Sequence, residues 1–366
     1  MQLRKAELLR LENNVKEHNI VKAHFTMTHV KFFALAWLLI SGHTSHAQEK
    51  LIDLDKTDDM KKHVYPVKTS PPEDVVLLNV SGTVTSRTPL NLAPYKNLQV
   101  LRIENSKFSV IEIDFDNHPF FQSLYFSNTS FDTLIFKGTP RHFKQLYLYD
   151  RHFYNYDFLK NLQSLEEVCI LDTLNIDIDN FTENLLGLPK LHSLSFYDCN
   201  LRTLPASFAK LRKLDWLSLA HMDSAFNMAQ AFECIRNIQL NNLNLYGCHG
   251  TRLPSNISVL KHIKGLYMAE SNFTMLPAGI GELTQLEEIH ASMSSLDSIP
   301  ESMVKLTKLK VLGLMPCNFK SIPAVLYKMT WLKELEVGSM EWWPTDEELK
   351  PLRKTLKHTK VNNFGR

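Results

Sequence analysis

The sequence predicts an α/β solenoid, in which short parallel strands from successive repeats stack into one continuous sheet. Three observations favour this fold class. Apolar residues recur in the spacing Leu-x-x-Leu-x-Leu from about residue 75 to about residue 343, the recurrences begin 22 to 26 residues apart, and most intervals are 23 residues. Repeats of this length bury a core shared with their neighbours and present an extended surface instead of one deep cleft. We therefore expect a binding scaffold and not an enzyme.

Twelve repeats fit this spacing, and positions within each are counted from 0 at its first apolar residue. The repeats begin at Val75, Leu98, Phe121, Phe143, Leu165, Leu191, Leu214, Leu240, Ile263, Leu286, Leu309 and Leu332. Positions 3 and 5 are also apolar, and because they are two residues apart they face the same side of a strand.

The chain has no basic block that would indicate nucleic acid as the partner. Its formal net charge is +2, and residues 48–366 contain 35 Lys and Arg against 36 Asp and Glu. Proteins that bind nucleic acid or anionic lipid typically carry a basic patch or stripe. We expect a protein partner of unknown identity, and the sequence leaves the oligomeric state open.

The N-terminal extension, residues 1–47, ends in a predicted export signal. A basic residue precedes an apolar run at residues 32–40, and Ser45 and Ala47 supply the small-x-small pattern of a cleavage site before Gln48. The nine residues of this run are too few to cross a bilayer, which needs about 20. We predict a signal peptide and a mature protein without a membrane span, secreted or located in the periplasm or cell envelope. A hydrophobic surface helix and an uncleaved anchor are the alternatives.

Terminal segments are predicted to cap both ends of the array, since an end repeat would otherwise expose apolar side chains. Residues 48–74 mix acidic and basic side chains and are predicted as the N-terminal cap, residues 75–343 as the repeat domain, and residues 344–366 as the C-terminal cap. In the last segment Thr345 and Glu348 have the spacing of a capping box at a helix start. An apolar stripe and a last edge strand are predicted to follow.

The second half of each repeat is predicted to return as a short helical turn. In the repeat that begins at Leu309, the corner Ile322-Pro323 is followed by Leu326 and Met329 at three-residue spacing. This spacing suits a 3₁₀ segment, and proline fits its start because the missing N–H has no partner there. Similar corners recur at Pro205, Pro254, Pro277 and Pro300. Each repeat is therefore predicted as strand, corner and helical return, with the sheet on the concave side.

These motifs resemble the leucine-rich repeat family, in its 23-residue form with Leu-Pro at the corner, over residues 75–343. The resemblance implies a horseshoe with a parallel concave sheet and short helical or 3₁₀ turns on the convex side, in an exported, bacterial-type protein. The family usually has Asn at position 8, where its side chain bonds backbone groups of the neighbouring turn. Here position 8 holds Thr83, Ser106, Thr129, Arg151, Thr173, Cys199, Met222, Cys248, Ser271, Ser294, Cys317 and Met340.

The replacement of Asn predicts a looser hydrogen-bond ladder, because Ser, Thr and Cys side chains bond more weakly than an amide. The repeats with Arg151, Met222 and Met340 at this position are predicted to be irregular. The two 26-residue intervals, before Leu191 and Leu240, are predicted to form local bulges.

The resemblance also accounts for three of the five cysteines. Cys199, Cys248 and Cys317 all occupy position 8, an inward corner, and lie two and three repeats apart. At a strand spacing of about 4.8 Å they are separated by about 10 Å or more, whereas a disulfide needs Cα atoms within about 7 Å. We predict buried free thiols and, since no Cys-x-x-Cys pair exists, no metal site.

Aromatic residues cluster at positions that face outward from the concave sheet. Positions 4 and 6 hold Tyr125, Tyr147, Tyr149, Tyr197, Tyr246, Tyr267 and His290, and position 2 adds Trp216. Tyrosine and tryptophan are enriched in protein-binding hot spots because they offer large contact area with few rotatable bonds. We predict that these residues bind the partner. The alternatives are aromatics that pack on one another across the sheet, a glycan or cell-envelope ligand, and an effector-type interaction with a host.

Position 7 carries an acidic row, Asp150, Asp172 and Asp198, in three consecutive repeats. Neighbouring carboxylates repel, so a cation or a basic group of the partner would stabilise the row. The alternative is a solvated acidic rim that reflects the preference of Asp for loops.

No catalytic residue or cofactor is predicted. The fifteen histidines are scattered over different repeat positions, and none lies in a Gly-x-Ser-x-Gly, His-Glu-x-x-His or phosphate-loop context. Cys169 faces outward, but no group that would lower its pKa is evident beside it in the sequence.

Overall fold

One sheet extends through the part of the chain that the structure describes. In the computed structural model this part comprises residues 52–53, 64–65, 75–86, 89–149, 156–173, 176–339 and 344–362. Within it sixteen strands form a single sheet in the order β1-β3-β4-β5-β7 and then consecutively to β16, while β2 and β6 pair with β3 and β4. The pairing of β2 with β3 is antiparallel, and the other pairings between these strands are parallel. The predicted export signal lies outside the described residues.

Most strands are short, and one strand begins at position 2 of each repeat. Their bounds are β1 Ile52–Asp53, β2 Val64–Tyr65, β3 Leu77–Ser86, β4 Val100–Asp114, β5 Ser123–Ser127, β6 Ser130–Lys137, β7 Gln145–Tyr149, β8 Glu167–Leu171, β9 Ser193–Tyr197, β10 Trp216–Ala220, β11 Asn242–Asn244, β12 Gly265–Tyr267, β13 Glu288–His290, β14 Val311–Cys317, β15 Glu334–Ser339 and β16 Lys360–Asn362.

The core is a ladder of position-3 and position-5 side chains. In all twelve repeats the position-3 residue is at most 1% exposed, and the strands pair so that position 3 lies beside position 3. Leu243 and Leu312 are both 0% exposed. The predicted α/β solenoid with a parallel concave sheet is therefore confirmed, since the apolar period of the sequence is also the period of the buried spine.

Among the described residues, short 3₁₀ helices return the chain on the convex side of six of the twelve repeats. Their bounds are Asp157–Asn161, Ala206–Lys210, Ser255–Val259, Ala278–Glu282, Glu301–Lys305 and Ala324–Lys328. The last five follow a proline directly, and the proline carbonyl accepts a backbone N–H three residues later at 3.0–3.1 Å. The fixed φ of proline suits this start, and the predicted Leu-Pro corners with helical returns are confirmed in these repeats.

The two 26-residue intervals contain α-helices, α1 (Ile178–Leu185) and α2 (Met228–Ile235). Each has eight residues where the 3₁₀ helices have five, so the three extra residues lengthen the helix. The side chains of Asp177 and Asn227 cap these helices by accepting backbone N–H groups. Strands β8 to β11 pair without a register shift, so the predicted bulges are not in the sheet.

The N-terminal repeats return as strands, which corrects the prediction of a helical return in every repeat. Strand β4 continues to Asp114 and pairs along its second half with β6. Ile111, Ile113 and Phe115 are buried and alternate with half-buried residues, which is the period of a strand and not of a helix. No Leu-Pro corner exists here to start a 3₁₀ turn.

The position-8 side chains of four repeats bond the backbone of the preceding repeat without an asparagine. Thr129 Oγ1 donates to the carbonyl oxygen of Ile103 at 3.0 Å, and the thiol of Cys248 donates to that of Leu219 at 3.1 Å. Cys199 and Cys317 make the same bond at 3.4 and 3.3 Å. These three cysteines are buried free thiols, as predicted, and burial raises the pKa of Cys317 to about 11.

At the irregular corners, Met222 is buried at 1% exposure, and the residues 151 and 340 lie outside the described part of the chain. Met222 cannot donate a hydrogen bond of this kind, and its repeat carries α2 in place of a 3₁₀ helix.

The array ends in helix α3 (Asp346–Thr355) and strand β16. Thr345 and Glu348 form the predicted capping box, with both reciprocal bonds present. Leu349 and Leu352 are buried under the last repeat, and β16 pairs in parallel with β15, which confirms the predicted edge strand. Among the described residues, no helix has both the length and the apolar character needed to cross a membrane.

Candidate partner-binding face

The concave face consists of the side chains at positions 2, 4 and 6 of the strands β3 to β15, together with those of the paired edge strand β16. Because neighbouring strands pair in register, side chains at one position form a row across the sheet. The aromatic residues predicted from the sequence lie on this face, but they differ in exposure.

Three of the predicted tyrosines are buried, which corrects the expectation that the whole set is exposed. Tyr125, Tyr147 and Tyr267, all at position 4, are 8%, 6% and 4% exposed. The rings of Tyr125 and Tyr147 stack with centroids 4.4 Å apart, and the guanidinium carbon of Arg102 lies 5.2 Å from the centroid of Tyr125. The prediction failed because rings in one row of a parallel sheet pack on their neighbours.

The hydroxyl groups of these tyrosines bond to position 2 of the next repeat in each case. Tyr147 donates to Glu167 Oε2 at 3.2 Å and Tyr267 donates to Glu288 Oε2 at 3.4 Å. Tyr125 makes the equivalent bond to the side-chain oxygen of Gln145 at 3.2 Å. Burial, and then the nearby carboxylate of Glu167, raises the pKa of Tyr147. These three tyrosines therefore stabilise the sheet and leave little exposed surface for a partner to contact.

The remaining predicted residues, Tyr149, Tyr197, Trp216, Tyr246 and His290, are partly exposed. The Trp216 ring lies 5.3 Å from that of Tyr267, on which the His290 ring stacks at 5.3 Å with planes 4° apart. These contacts join β10, β12 and β13 into one aromatic band. In this band, the partly exposed rings of Trp216 and His290 lie against the buried ring of Tyr267.

A second group of aromatic rings lies on the same face, and we include it in the aromatic band. It contains His221, which the sequence did not identify as a binding residue. Its ring lies 4.5 Å from the ring of Tyr197 and 5.2 Å from that of Tyr246. A Cβ on Gly247 would lie 2.6 Å from His221 Cε1, so glycine leaves the space that the ring fills. Burial lowers the pKa of His221, and the nearby Asp198 carboxylate opposes this. The sequence did carry a signal for this ring contact. Position 7 holds an aromatic residue in one repeat and a glycine in the next.

Between Tyr147 and Tyr267, position 4 carries Cys169, Ser195, Ser218 and Asn244. Ser195 and Ser218 are each 5% exposed, and Cys169 is half-buried beside Tyr147. Burial raises the pKa of the Cys169 thiol, which disfavours the thiolate that a nucleophile needs.

The acidic row at position 7 has a backbone explanation. Asp172 and Asp198 have φ angles of 49° and 53°, in the left-handed region. In six other repeats position 7 also has a positive φ, at Asn105, Asn128, His221, Gly247, Glu270 and Met293. Asn, Asp and Gly adopt a positive φ at the lowest energetic cost, so the backbone conformation at this corner favours these residue types.

Asp150, the third member of that row, lies outside the described residues. In the described part of the chain, no group of three or more His, Cys, Asp or Glu side chains is placed to hold a metal ion. Contact of this row with a cation or basic group stays a prediction.

The concave face is acidic, although the whole chain is nearly neutral. Among its described residues the carboxylates are Glu104, Glu167, Glu288, Glu334 and Glu336, against the cations Arg102 and Lys360. Lys360 is paired with Glu334 at 3.0 Å. The net charge of the whole chain does not show that the concave face is acidic, because most basic residues lie elsewhere on the repeats.

Comparison with known proteins agrees with this architecture. Residues 225–361 match the family model described as a leucine-rich repeat region. The repeats in this part of the chain therefore belong to the leucine-rich repeat family. The matched span holds the repeats with helical returns at the C-terminal end, whereas the unmatched N-terminal repeats include those that return as strands.

Two solved structures share the fold at low identity. An internalin from Listeria monocytogenes is 16% identical, with a TM-score of 0.51 over 81% of this chain and 88% of that chain. TLR13, in a complex with ssRNA13, is 19% identical, with a TM-score of 0.51 over 78% of this chain and 49% of that chain. A leucine-rich repeat protein of Leptospira interrogans is 20% identical over 77% and 76% of the two chains, with a TM-score of 0.49. No curated protein matches the sequence significantly.

Proposed function

We propose that this leucine-rich repeat protein is a non-catalytic scaffold that binds a protein partner across its concave face. The observation that carries the proposal is the aromatic band, in which Tyr197, Trp216, Tyr246 and His290 are partly exposed. The buried Tyr267 ring lies against Trp216 and His290, the His221 ring lies against Tyr197 and Tyr246, and rigid aromatic side chains lose little entropy on binding. Carboxylates on the same face favour a partner with basic groups.

The same charges argue against a nucleic-acid partner. The face carries more carboxylates than cations, and a polyanion would be repelled by it. The RNA in the TLR13 complex belongs to that protein, and the likeness between the two chains is one of fold.

A glycan partner is less well supported than a protein. Sugar rings stack on open aromatic faces, whereas Tyr125, Tyr147 and Tyr267 are covered by neighbouring side chains. The partly exposed rings do not form one flat row, since the Tyr197 and His221 planes are 43° apart.

Export through the predicted signal at residues 27–47 is part of the proposal. It supports an encounter with the partner outside the cytoplasm, in the periplasm, at the cell envelope or beyond it. Cleavage there would leave a mature N-terminus at Gln48.

Partner capture by aromatic variants tests the proposal. The full-length chain is used as bait, the captured protein is identified, and its affinity is measured for the wild type and for a Tyr197→Ala, Tyr246→Ala double variant. We expect the double variant to lose about tenfold or more in affinity, because central aromatic anchors typically contribute most of the binding energy. Tyr147 is left intact because it is buried, and its truncation would disturb the sheet.

A matched control is Phe120→Ala, since Phe120 is 51% exposed and lies outside the strands of the concave face. It should bind like the wild type, with an unchanged melting temperature. A double variant that binds the partner as tightly as the wild type would exclude the concave aromatic band as the binding site.

A further inference from the structure

A basic edge runs along the side of the array where the strands begin. It consists of the two residues before position 0 together with position 1, and from the second repeat to the twelfth these places hold eleven Lys or Arg side chains against three carboxylates. All eleven cationic side chains are exposed. They lie in seven different repeats, so the sequence contains no basic block, and only the pairing of the strands brings them together on one side.

The edge is regular, because one ladder of backbone hydrogen bonds runs along all of it. In every repeat from the second to the last, the N–H at position 1 donates to the carbonyl oxygen at position 1 of the preceding repeat, at 2.6–3.0 Å. The strand starts are therefore level, and the eleven steps of the ladder, at about 4.8 Å each, span about 50 Å. A side of this length on which cations recur matches an extended anionic surface better than a single small anion.

Neighbouring carboxylates neutralise only a few of these cations. Glu166 pairs with Lys144 at 3.2 Å and Glu287 pairs with Lys310, while the third carboxylate of the edge, Asp215, accepts a hydrogen bond from an asparagine amide. Two carboxylates of the convex 3₁₀ helices pair with lysines of the next helix at 2.8 and 2.7 Å, so their charge is largely taken up there. The edge therefore keeps an excess of positive charge.

Exposed apolar side chains lie on the same edge. Val76, at position 1 of the first repeat, is 49% exposed, and Phe120, directly before position 0 of the third repeat, is 51% exposed. Trp331 occupies the place of Phe120 in the last repeat, where its ring is partly exposed and its Nε1 donates to the Leu306 carbonyl oxygen at 2.8 Å. Cations combined with exposed aromatic rings are typical of a surface that meets lipid, because the rings enter the headgroup region.

We propose that this basic edge docks the protein on the surface of an anionic phospholipid membrane. Each lysine near such a surface strengthens binding by about fivefold. The exposed Val76 and Phe120 favour lipid over a soluble polyanion, because an apolar side chain gains little from contact with a charged polymer.

The charges also set the orientation of the docked protein. The membrane attracts the edge and repels the carboxylates of the concave face, so the aromatic band stays open to a partner. This inference goes beyond the proposed function, and it does not depend on which partner the concave face binds.

Sedimentation with lipid vesicles measures the binding. The full-length protein is mixed at low salt with vesicles of equal parts phosphatidylcholine and phosphatidylglycerol, and with vesicles of phosphatidylcholine alone. We expect about tenfold or tighter binding to the anionic vesicles, and loss of this difference at high salt, which screens the charges. The apolar run at residues 32–40 is common to all the proteins compared, so differences between variants report on the edge.

A charge-reversal variant localises the binding. Lys264→Glu, Lys333→Glu changes two exposed lysines at position 1 that make no ion pair within the described part of the chain. It should weaken binding to the anionic vesicles by about tenfold or more. The matched control, Arg252→Glu, Lys320→Glu, makes the same change of net charge on exposed side chains beyond the carboxyl ends of the strands. It should bind within about twofold of the wild type, and melting temperatures check that both variants fold.

Phe120→Ala distinguishes lipid from a soluble polyanion. It should weaken binding to the anionic vesicles by about threefold or more, because the ring no longer enters the headgroup region. Its binding to dextran sulfate, a soluble polyanion, should equal that of the wild type.

Wild-type binding by the Lys264→Glu, Lys333→Glu variant would overturn the proposal. Binding to dextran sulfate without binding to anionic vesicles would also overturn it and would assign the edge to a soluble polyanion. The two proposals fail separately, because the vesicle assay contains no protein partner and the capture assay contains no lipid.

Discussion

At the scale of single residues, the concave face combines side chains that stabilise the folded protein with side chains whose burial lowers its stability. The buried tyrosines at position 4 stack on one another and donate to carboxylates in the next repeat, so they contribute packing and hydrogen bonds. Glu336 has no such partner among the described residues, and its burial opposes ionisation. A residue that is retained at a cost to stability is typical of a binding site.

The pH dependence of stability tests this view of Glu336. Its folded-state pKa is raised, so the unfolded state ionises first and the penalty is present above the folded pKa. We therefore expect Glu336→Gln to raise the melting temperature at neutral pH. The gain should vanish as the pH falls below the pKa of an ordinary Glu, about 4.3.

Parallel melting curves of wild type and variant across this pH range give the measurement. A variant that is less stable than the wild type at neutral pH would mean that the Glu336 carboxylate is satisfied in the folded protein. Glu347→Gln on the exposed surface of α3 serves as the matched control.

At the scale of the element, the corner after each strand is set by backbone conformation. In the described part of the chain, eight repeats have a positive φ at position 7, and the residue there is Asn, Asp or Gly in five of them. This geometry accounts for Asp172 and Asp198 without a bound cation.

Substitutions of Asp198 distinguish the two explanations. Asp198→Gly should leave the unfolding free energy nearly unchanged, whereas Asp198→Val should lower it by about 1–2 kcal/mol, because a β-branched residue is strained at a φ of 53°. Urea denaturation measures the unfolding free energy of both variants. A rise in the wild-type melting temperature with added Ca²⁺ that Asp198→Gly abolishes would favour the cation explanation instead.

At the scale of the whole described array, stability is distributed along one shared spine. Each repeat contacts its neighbours through position 3, and no single repeat has a core of its own. A defect in the middle of the array therefore weakens two interfaces.

Leu312→Ala tests this arrangement. Leu312 is 0% exposed and pairs in register with Ile289 and Leu335, so the cavity should cost about 2–5 kcal/mol in unfolding free energy. Chemical denaturation provides the value, with Met293→Ala as the control because Met293 is 50% exposed. A loss below about 1 kcal/mol for Leu312→Ala would contradict a continuous packed spine.

The repeat period, the inward-facing residues, the proline corners and the C-terminal capping box could all be predicted from the sequence. These features follow from local rules, since a buried face must repeat with the period of the backbone that carries it. The strand returns of the N-terminal repeats and the α-helices of the long repeats were missed, although alternating Ile111, Ile113 and Phe115 and the capping residues Asp177 and Asn227 carried the signal.

The exposure of the outward side chains, and the charges that face one another, became known from the three-dimensional contacts. Tyr147 at position 4 and Tyr197 at position 6 both face outward in the repeat pattern, yet the first is covered by a stacked neighbour and the second is partly open. The stacking of Tyr125 on Tyr147 joins residues of two repeats that strand pairing brings together. The physical reason is that burial and unpaired charge depend on contacts between repeats, whereas periodicity is a property within each repeat.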